Sequence, residues 1–261
     1  FYDFEGERHE GLAACGAAIL VIGANGTIPI GAESVVDYCL RLGKPLIIFI
    51  NGMDKANADY AGTVNALKEN AGKLAPIQLP IITDGKMTGY VNAIQERAYK
   101  FSTQGPQEIP VPEQLSKQMY DMQSALMETA AENDELLLDK YFEDGALSKA
   151  DTVHGIRKGI ATGNVIPVMA GSAYQNRGVI NLLDEIVRYM PAASERSSTL
   201  ANDLIADEVV GINCEEDAPF AAQVFKTVND PYSGKMNYIK VFRGRLRAGM
   251  TVYNSNTDTE E

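Results

Sequence analysis

Three apolar runs punctuate the chain, each closing on turn-forming or polar residues: Ala17 to Ile22 before Gly23-Ala24-Asn25-Gly26, Pro45 to Ile50 before Asn51-Gly52, and Val165 to Met169 before Gly171-Ser172. Short β-branched runs bounded in this way predict strands buried on both faces, as in parallel sheets. Helical periodicity separates them. One helix is predicted from Glu5 to Ala14 and a second from Ala32 to Leu42, with Val35, Val36, Cys39 and Leu40 on one face. A third runs from Gly178 to Tyr189 with Ile180, Leu183, Ile186 and Val187 as its apolar positions. Strands alternating with helices predict an α/β fold with a doubly wound, mainly parallel sheet. Ligands bind such sheets at the carboxyl ends of the strands, so the loops after the second and third runs are where chemistry is expected.

Those two loops are separated by far more chain than one crossover needs, which predicts an α+β insertion at about 74–162. Its start, Leu74 to Val91, reads as short strands around an Asp84-Gly85 turn. Its middle reads as a long helical pattern from Pro112 to Tyr141 with Leu126, Leu137 and Leu138 apolar, and Ser148 is placed to cap a further helix reaching Ala161. The first domain is expected to span 1–195. A small, polar linker is expected at 196–218, and a β domain, incomplete, at 219–261. There the pattern turns to alternation over Ala222 to Thr227, Met236 to Phe242 and Met250 to Tyr253, with Gly234 and Gly249 at turns.

Composition narrows the class. Three scattered cysteines, Cys15, Cys39 and Cys214, form no C-x-x-C pair, so neither a disulfide framework nor a structural zinc site is indicated, and a reducing, cytoplasmic setting fits. No apolar run spans a bilayer and no signal peptide opens the chain, which predicts no membrane association. The first residue is not Met, so a truncated start is expected. A net charge of −12 excludes DNA or RNA binding through an overall positive field. Charge is uneven, however: Lys226, Lys235, Lys240, Arg243, Arg245 and Arg247 face only Asp230 between residues 220 and 249. That stretch reads either as solvated strand faces or as a contact to RNA phosphates. His9 and His154 have no Cys or carboxylate spacing that suggests a metal site. Met119, Met122 and Met127 read as core filler.

The chemistry concentrates in two loops. Asn51-Gly52-Met53-Asp54 follows a buried strand and carries the Asn and Asp of the guanine-binding Asn-Lys-x-Asp motif without its Lys. Guanine presents a ring N–H and an exocyclic amine side by side, and one carboxylate accepts both; adenine offers no such pair. A buried carboxylate deprived of those donors is penalised by roughly 1 to 3 kcal/mol, which is a basis for discrimination. Taken alone, the tetrapeptide is also an ordinary turn. Gly171-Ser172-Ala173-Tyr174 follows the third strand, where a loop N–H would donate to the guanine carbonyl and Tyr174 would cover the base.

Further residues carry a family resemblance. Ala131-Glu132-Asn133-Asp134-Glu135-Leu136 through Lys140-Tyr141, Ile166-Pro167-Val168, Gly171-Ser172-Ala173, Gly178-Val179 and Leu182-Leu183-Asp184 resemble elongation factor G. So do Phe225-Lys226-Thr227, Asp230-Pro231, Gly234-Lys235 and Val252-Tyr253-Asn254, and, at the start, Asp3-Phe4, Gly6-Glu7 and Gly11-Leu12-Ala13. The resemblance covers essentially the whole chain. It implies a P-loop GTPase-like domain followed by the start of a β-barrel domain, GTP or GDP as ligand with Mg2+ in the full-length protein, and the ribosome, its RNA and proteins, as partner. It implies that Asn51 braces the loops, Asp54 reads guanine, and Ser172 and Ala173 complete the pocket. Lys235, Lys240, Arg243, Arg245 and Arg247 would be the RNA contacts. No Gly-x-x-x-x-Gly-Lys-[Ser/Thr] occurs in the 261 residues, so this stretch alone is expected neither to bind GTP tightly nor to hydrolyse it. Two departures stand out. Phe1 holds the position of the family's water-orienting His, leaving no catalytic residue here, and Gly52 replaces the motif Lys. They keep open a low-turnover nucleotide-binding paralogue or a ribosome-protection type of protein acting as a ribosome-binding module.

Overall fold

The computed structural model describes residues 2–70, 74–195, 198–204 and 206–261, so Phe1 lies outside the described residues. The chain forms two compact units. The first comprises Phe1–Glu5 and Cys15–Pro191, the second Gly6–Ala14 and Ala192–Glu261.

The first unit is built on a four-stranded parallel sheet. In chain order the unit's first strands are β1 (Ala18–Gly23), β2 (Leu46–Asn51) and β3 (Leu74–Pro76), and the sheet is completed by β8 (Ile166–Gly171), in the order β1-β2-β8-β3. The apolar runs become strands because they can bury both faces: every residue from Leu46 to Ile50 and from Ile166 to Gly171 is buried. Strand β1, at one edge, buries Leu20 and Ile22 but leaves Ile19 and Val21 about half exposed. Helices α2 (Ile30–Arg41) and α3 (Tyr60–Asn70) follow β1 and β2, and α7 (Val179–Tyr189) follows β8. Leu74–Pro76, expected to open the insertion, instead pairs with β8 as the fourth parallel strand.

The insertion supplies a four-stranded antiparallel sheet, β4 (Gln78–Thr83), β5 (Lys86–Asn92), β6 (Arg97–Ser102) and β7 (Gly105–Ile109), and three helices, α4 (Glu113–Ala131), α5 (Glu135–Asp144) and α6 (Lys149–Ala161). Asp84 and Gly85 both have positive φ, 50° and 73°, as a two-residue hairpin turn between twisted strands requires. The expected single helix from Pro112 to Tyr141 is two. Asp134 leaves the helical conformation and its carboxylate accepts the N–H groups of Leu136 and Leu137, capping α5, while Gly145 in the left-handed region closes it. Ser148 caps α6 by accepting from the Asp151 N–H. A Cβ at Gly155 would sit 2.4 Å from the Ala130 carbonyl oxygen, so α6 crosses α4 at backbone contact. The core is continuous from Ile47, Phe49 and Met169 of the parallel sheet through Val91 and Ala98 to Leu126 and Ile156.

Helix α7 is rotated from its sequence pattern: of the four expected apolar positions, Ile186 alone packs against the core. Asn181, Leu182, Glu185 and Tyr189 are buried, whereas Ile180, Leu183 and Val187 are exposed. Two of the inward polar groups find partners: Asn181 donates to Gln78, and Glu185 accepts from Asn92 and pairs with Arg188 one turn along, while the buried Tyr189 hydroxyl has no hydrogen-bond partner among the described residues.

In the second unit, α1 (Glu5–Ala14, its first residue lying in the first unit) accompanies three two-stranded antiparallel sheets: β9 (Thr199–Asp203) with β10 (Glu208–Ile212), β11 (Ala221–Asp230) with β12 (Gly234–Arg243), and β13 (Tyr253–Asn254) with β14 (Thr259–Glu260). The stretch expected to be a linker therefore contains a hairpin, and of the strand expected over Met250 to Tyr253 the paired part is Val252, which exchanges backbone bonds with Glu261, and Tyr253, opposite Glu260.

Candidate guanine-nucleotide site

Strands β2 and β8 are adjacent and parallel, with Asn51 opposite Gly171, so their loops emerge side by side. Two side-chain bonds join them. The Asn51 Oδ1 accepts the Ala173 N–H at 2.8 Å, and the Ser172 hydroxyl donates to the Asp54 carboxylate at 2.5 Å. A backbone bond from the Met53 N–H to the Gly171 carbonyl, 3.1 Å, adds a third. Four of the five residues expected at the base site, Asn51, Asp54, Ser172 and Ala173, are thus linked to one another, while the Tyr174 ring on the same loop is 91% exposed.

The Ser172 hydroxyl is the main reason the Asp54 carboxyl lies below the usual carboxylate range; partial burial opposes it, and Lys55 and Arg177 assist. Asp54 is therefore an ionised, pre-aligned acceptor at neutral pH. Each carboxylate oxygen has two lone pairs, so the bond from Ser172 leaves room for a pair of adjacent donors. The Ala173 N–H, a natural donor for a base carbonyl, is already engaged by Asn51. Among the described residues the Tyr174 N–H has no partner and is the available donor on this loop.

Gly52 has φ 85°, in the region a side chain enters only with strain, and the Lys55 stem lies over it, its Cε 3.5 Å from where a Cβ would stand. Sequence reasoning missed Lys55, Arg177 and Met87. Arg177 returns both backbone hydrogen bonds to Ser172 at 2.9 Å and its guanidinium donates to the Met87 carbonyl at 3.2 Å. Nothing local in the sequence links Met87 to these loops.

The basic stretch is not one surface. The continuous run of β12 puts Lys235 and Lys240, an odd number of residues apart, on opposite faces. Arg243 donates to the Pro219 carbonyl, Arg245 pairs with Glu216 at 3.0 Å and Asp217 at 3.4 Å, and the Lys240 ammonium lies 5.1 Å from the Phe242 ring centroid. Arg247 lines a shallow cleft beside Arg245. Among the described residues no group of three or more His, Cys, Asp or Glu is placed to hold a metal, and no helix is long and apolar enough to cross a membrane.

The first unit is thus a parallel α/β sheet that carries an oriented carboxylate and a tight amide loop at the carboxyl ends of neighbouring strands. Residues 1–192 match the family described as the elongation factor Tu GTP binding domain, and the chain belongs to that family. It is 33% identical to elongation factor G of Mycoplasma pneumoniae over 263 residues and 32% identical to elongation factor G 2 of Syntrophomonas wolfei over 264, each covering 99% of the chain. A crystal structure of a protein from Thermus thermophilus superposes with a TM-score of 0.82 at 27% identity, covering 98% of this chain and 36% of that one. The chain is therefore similar to elongation factor G along nearly all of its own length and has the P-loop GTPase type of fold. It spans 38% of the length of the two elongation factors it matches.

Proposed function

We propose that this chain is the guanine-selecting part of a GTP-binding translation factor that couples GTP hydrolysis to ribosomal translocation or a related ribosome step in the cytoplasm. The observation that carries the reading is the Asp54 carboxylate, held in place by the Ser172 hydroxyl of a neighbouring strand's loop and kept below the usual carboxylate range by it. There it would accept the guanine N1–H and exocyclic amine, while the Tyr174 N–H donates to the base carbonyl and Asn51 keeps the two loops in register. The phosphates, and the Mg2+ on them, would be held by residues other than these, because no P-loop sequence occurs in this stretch. On its own the stretch would not hydrolyse GTP. Of the basic residues, Lys235 and Arg247 are the best placed to reach ribosomal RNA, with Lys240, Arg243 and Arg245 already engaged within their own unit.

Calorimetric titration of the full-length protein with GDP and ADP tests the reading, with GDP binding expected and ADP binding absent. Equal affinities would remove it. Asp54→Asn is expected to transfer preference to xanthine nucleotides, whose carbonyl suits the new amide donor; an unchanged preference would show that Asp54 does not read the base.

A second reading, a nucleotide-holding module with little turnover, is favoured by Gly52, which carries no side chain to tie this loop to the phosphate side. Turnover with purified ribosomes decides between them. A rate within a few-fold of the ribosome-free rate selects the second reading.

A further inference from the structure

Met87, at the start of β5, is bonded to both base loops. Its N–H donates to the Met53 carbonyl at 3.2 Å, and its own carbonyl accepts from the Arg177 guanidinium at 3.2 Å. Met53 donates to Gly171, and Ser172 and Arg177 exchange backbone bonds. The bonds close a circuit from Met53 to Gly171 and Ser172, on to Arg177, across to Met87 and back to Met53. Asp54 and Ser172 stand on its rim. Every link but one is made by main chain; the exception is the Arg177 guanidinium.

The surroundings favour a fixed geometry. Met87 is buried at 2% exposure, so its carbonyl depends on a protein donor. Asn176, just before Arg177, holds φ at 52°, in the left-handed region that Asn enters more readily than most residues, and so closes the tight turn between Ser172 and Arg177. A guanidinium can make such a bond while remaining charged beside Asp54.

We propose that Arg177 is a positioning residue of the base site: by binding the Met87 carbonyl it fixes the Ser172-Ala173 loop against the Met53-Asp54 loop, so that the Asp54 carboxylate meets guanine without rearrangement. The inserted sheet is thereby part of the base site, contributing Met87 as the bracket. The inference rests on the reading that Asp54 recognises guanine. Preorganisation of this kind strengthens binding by removing an ordering cost.

The test compares wild type with Arg177→Met in the full-length protein, titrating GDP and IDP. IDP lacks the exocyclic amine, so the ratio of the two affinities reads the second hydrogen bond at Asp54. Arg177→Met is expected to weaken GDP about tenfold and IDP about threefold, lowering the preference, and Arg177→Lys to restore most of it. In the nucleotide-free variant, amide exchange at Met53 and Ala173 is expected to accelerate while exchange in α4 and α6 stays unchanged. An unchanged ratio with unchanged exchange overturns the inference. So do GDP and IDP weakening in parallel alongside faster exchange throughout the unit, which mark a merely structural role. Wild-type protein that fails to prefer GDP over ADP overturns the base-reading assignment and this inference with it. Should Arg177→Met not fold, Arg177→Gln, a shorter neutral donor, is read by the same ratio.

Discussion

The two units of this chain bury side chains very differently. In the first, β2 and β8 are covered on both faces and the core runs unbroken into the insertion. In the second, among the described residues, Leu12 of α1 is the one buried side chain, and every residue from Ala192 onward is exposed or partly exposed. Two-stranded sheets are marginal in water by themselves. The difference teaches where fixed geometry resides: the loops that carry Asp54 and Ser172 spring from the densely packed unit, and the basic strands from one with little buried side chain among the described residues.

Removing core volume should sharpen the contrast most. Leu126, 2% exposed on α4, packs within the shared core, and Leu126→Ala is expected to cost about 2 to 5 kcal/mol in urea unfolding of the first unit. Amide exchange in β11 and β12 is expected to stay at its wild-type rate. A matching acceleration there would break the comparison, because it would show that the hairpins draw their stability from this core.

Next in size is a pH effect at α7. Burial pushes the Glu185 carboxyl up to about 7, against the pull of Arg188 and with some help from Asp184. The folded state therefore holds a proton that the unfolded chain releases near 4.5, so stability falls as pH rises from the unfolded value to about 7 and then levels off. The loss is on the order of 3 kcal/mol. Glu185→Gln, which keeps an acceptor for Asn92, is expected to flatten urea midpoints between pH 5 and 7.5. A persisting slope would assign the effect to another group.

A smaller effect is expected at Leu12. Leu12→Ala should cost about 2 kcal/mol, the low end for a buried leucine, because among the described residues its unit has no other buried side chain. Amide exchange in α1 reports it. An effect as large as that of Leu126→Ala would mean that the second unit is better packed than its exposure suggests.

How much of this was legible in the sequence follows from the range of the interactions. The parallel strands could be read because a short β-branched run such as Leu46 to Ile50, bounded by turn residues, suits a strand buried on both faces, and the Asp84-Gly85 turn and the Ser148 cap because their chemistry is local. The break at Asp134 was hidden by continuous periodicity across it, since a cap competes with the helix through two backbone bonds that leave the apolar spacing intact. The rotation of α7 was hidden for the opposite reason. Its inward face sets Asn181 and Glu185 beside Leu182 and Tyr189, and those two polar groups are made tolerable by Asn92, Gln78 and Arg188, two of them distant in sequence. At the site, Asn51, Asp54 and the Ser172-Ala173 loop were visible as motif residues, whereas Met87 and Arg177 meet only through tertiary folding.

The smallest expected effect concerns how α1 is held within the second unit. Glu10 accepts from the Lys226 ammonium of β11 at 2.7 Å, with both side chains more than a third exposed. An ion pair in such a position gains little over its hydrated partners and is screened by salt. Lys226→Met is therefore expected to accelerate amide exchange in α1 less than about threefold at low ionic strength, and to do nothing in 0.5 M sodium chloride, roughly where the Debye length falls below 5 Å. Because Lys226 also contributes an apolar stem, the Met variant keeps the packing and removes only the charge. A larger, salt-insensitive acceleration would mean that this contact is shielded from solvent and that the thin unit has a fixed point besides Leu12.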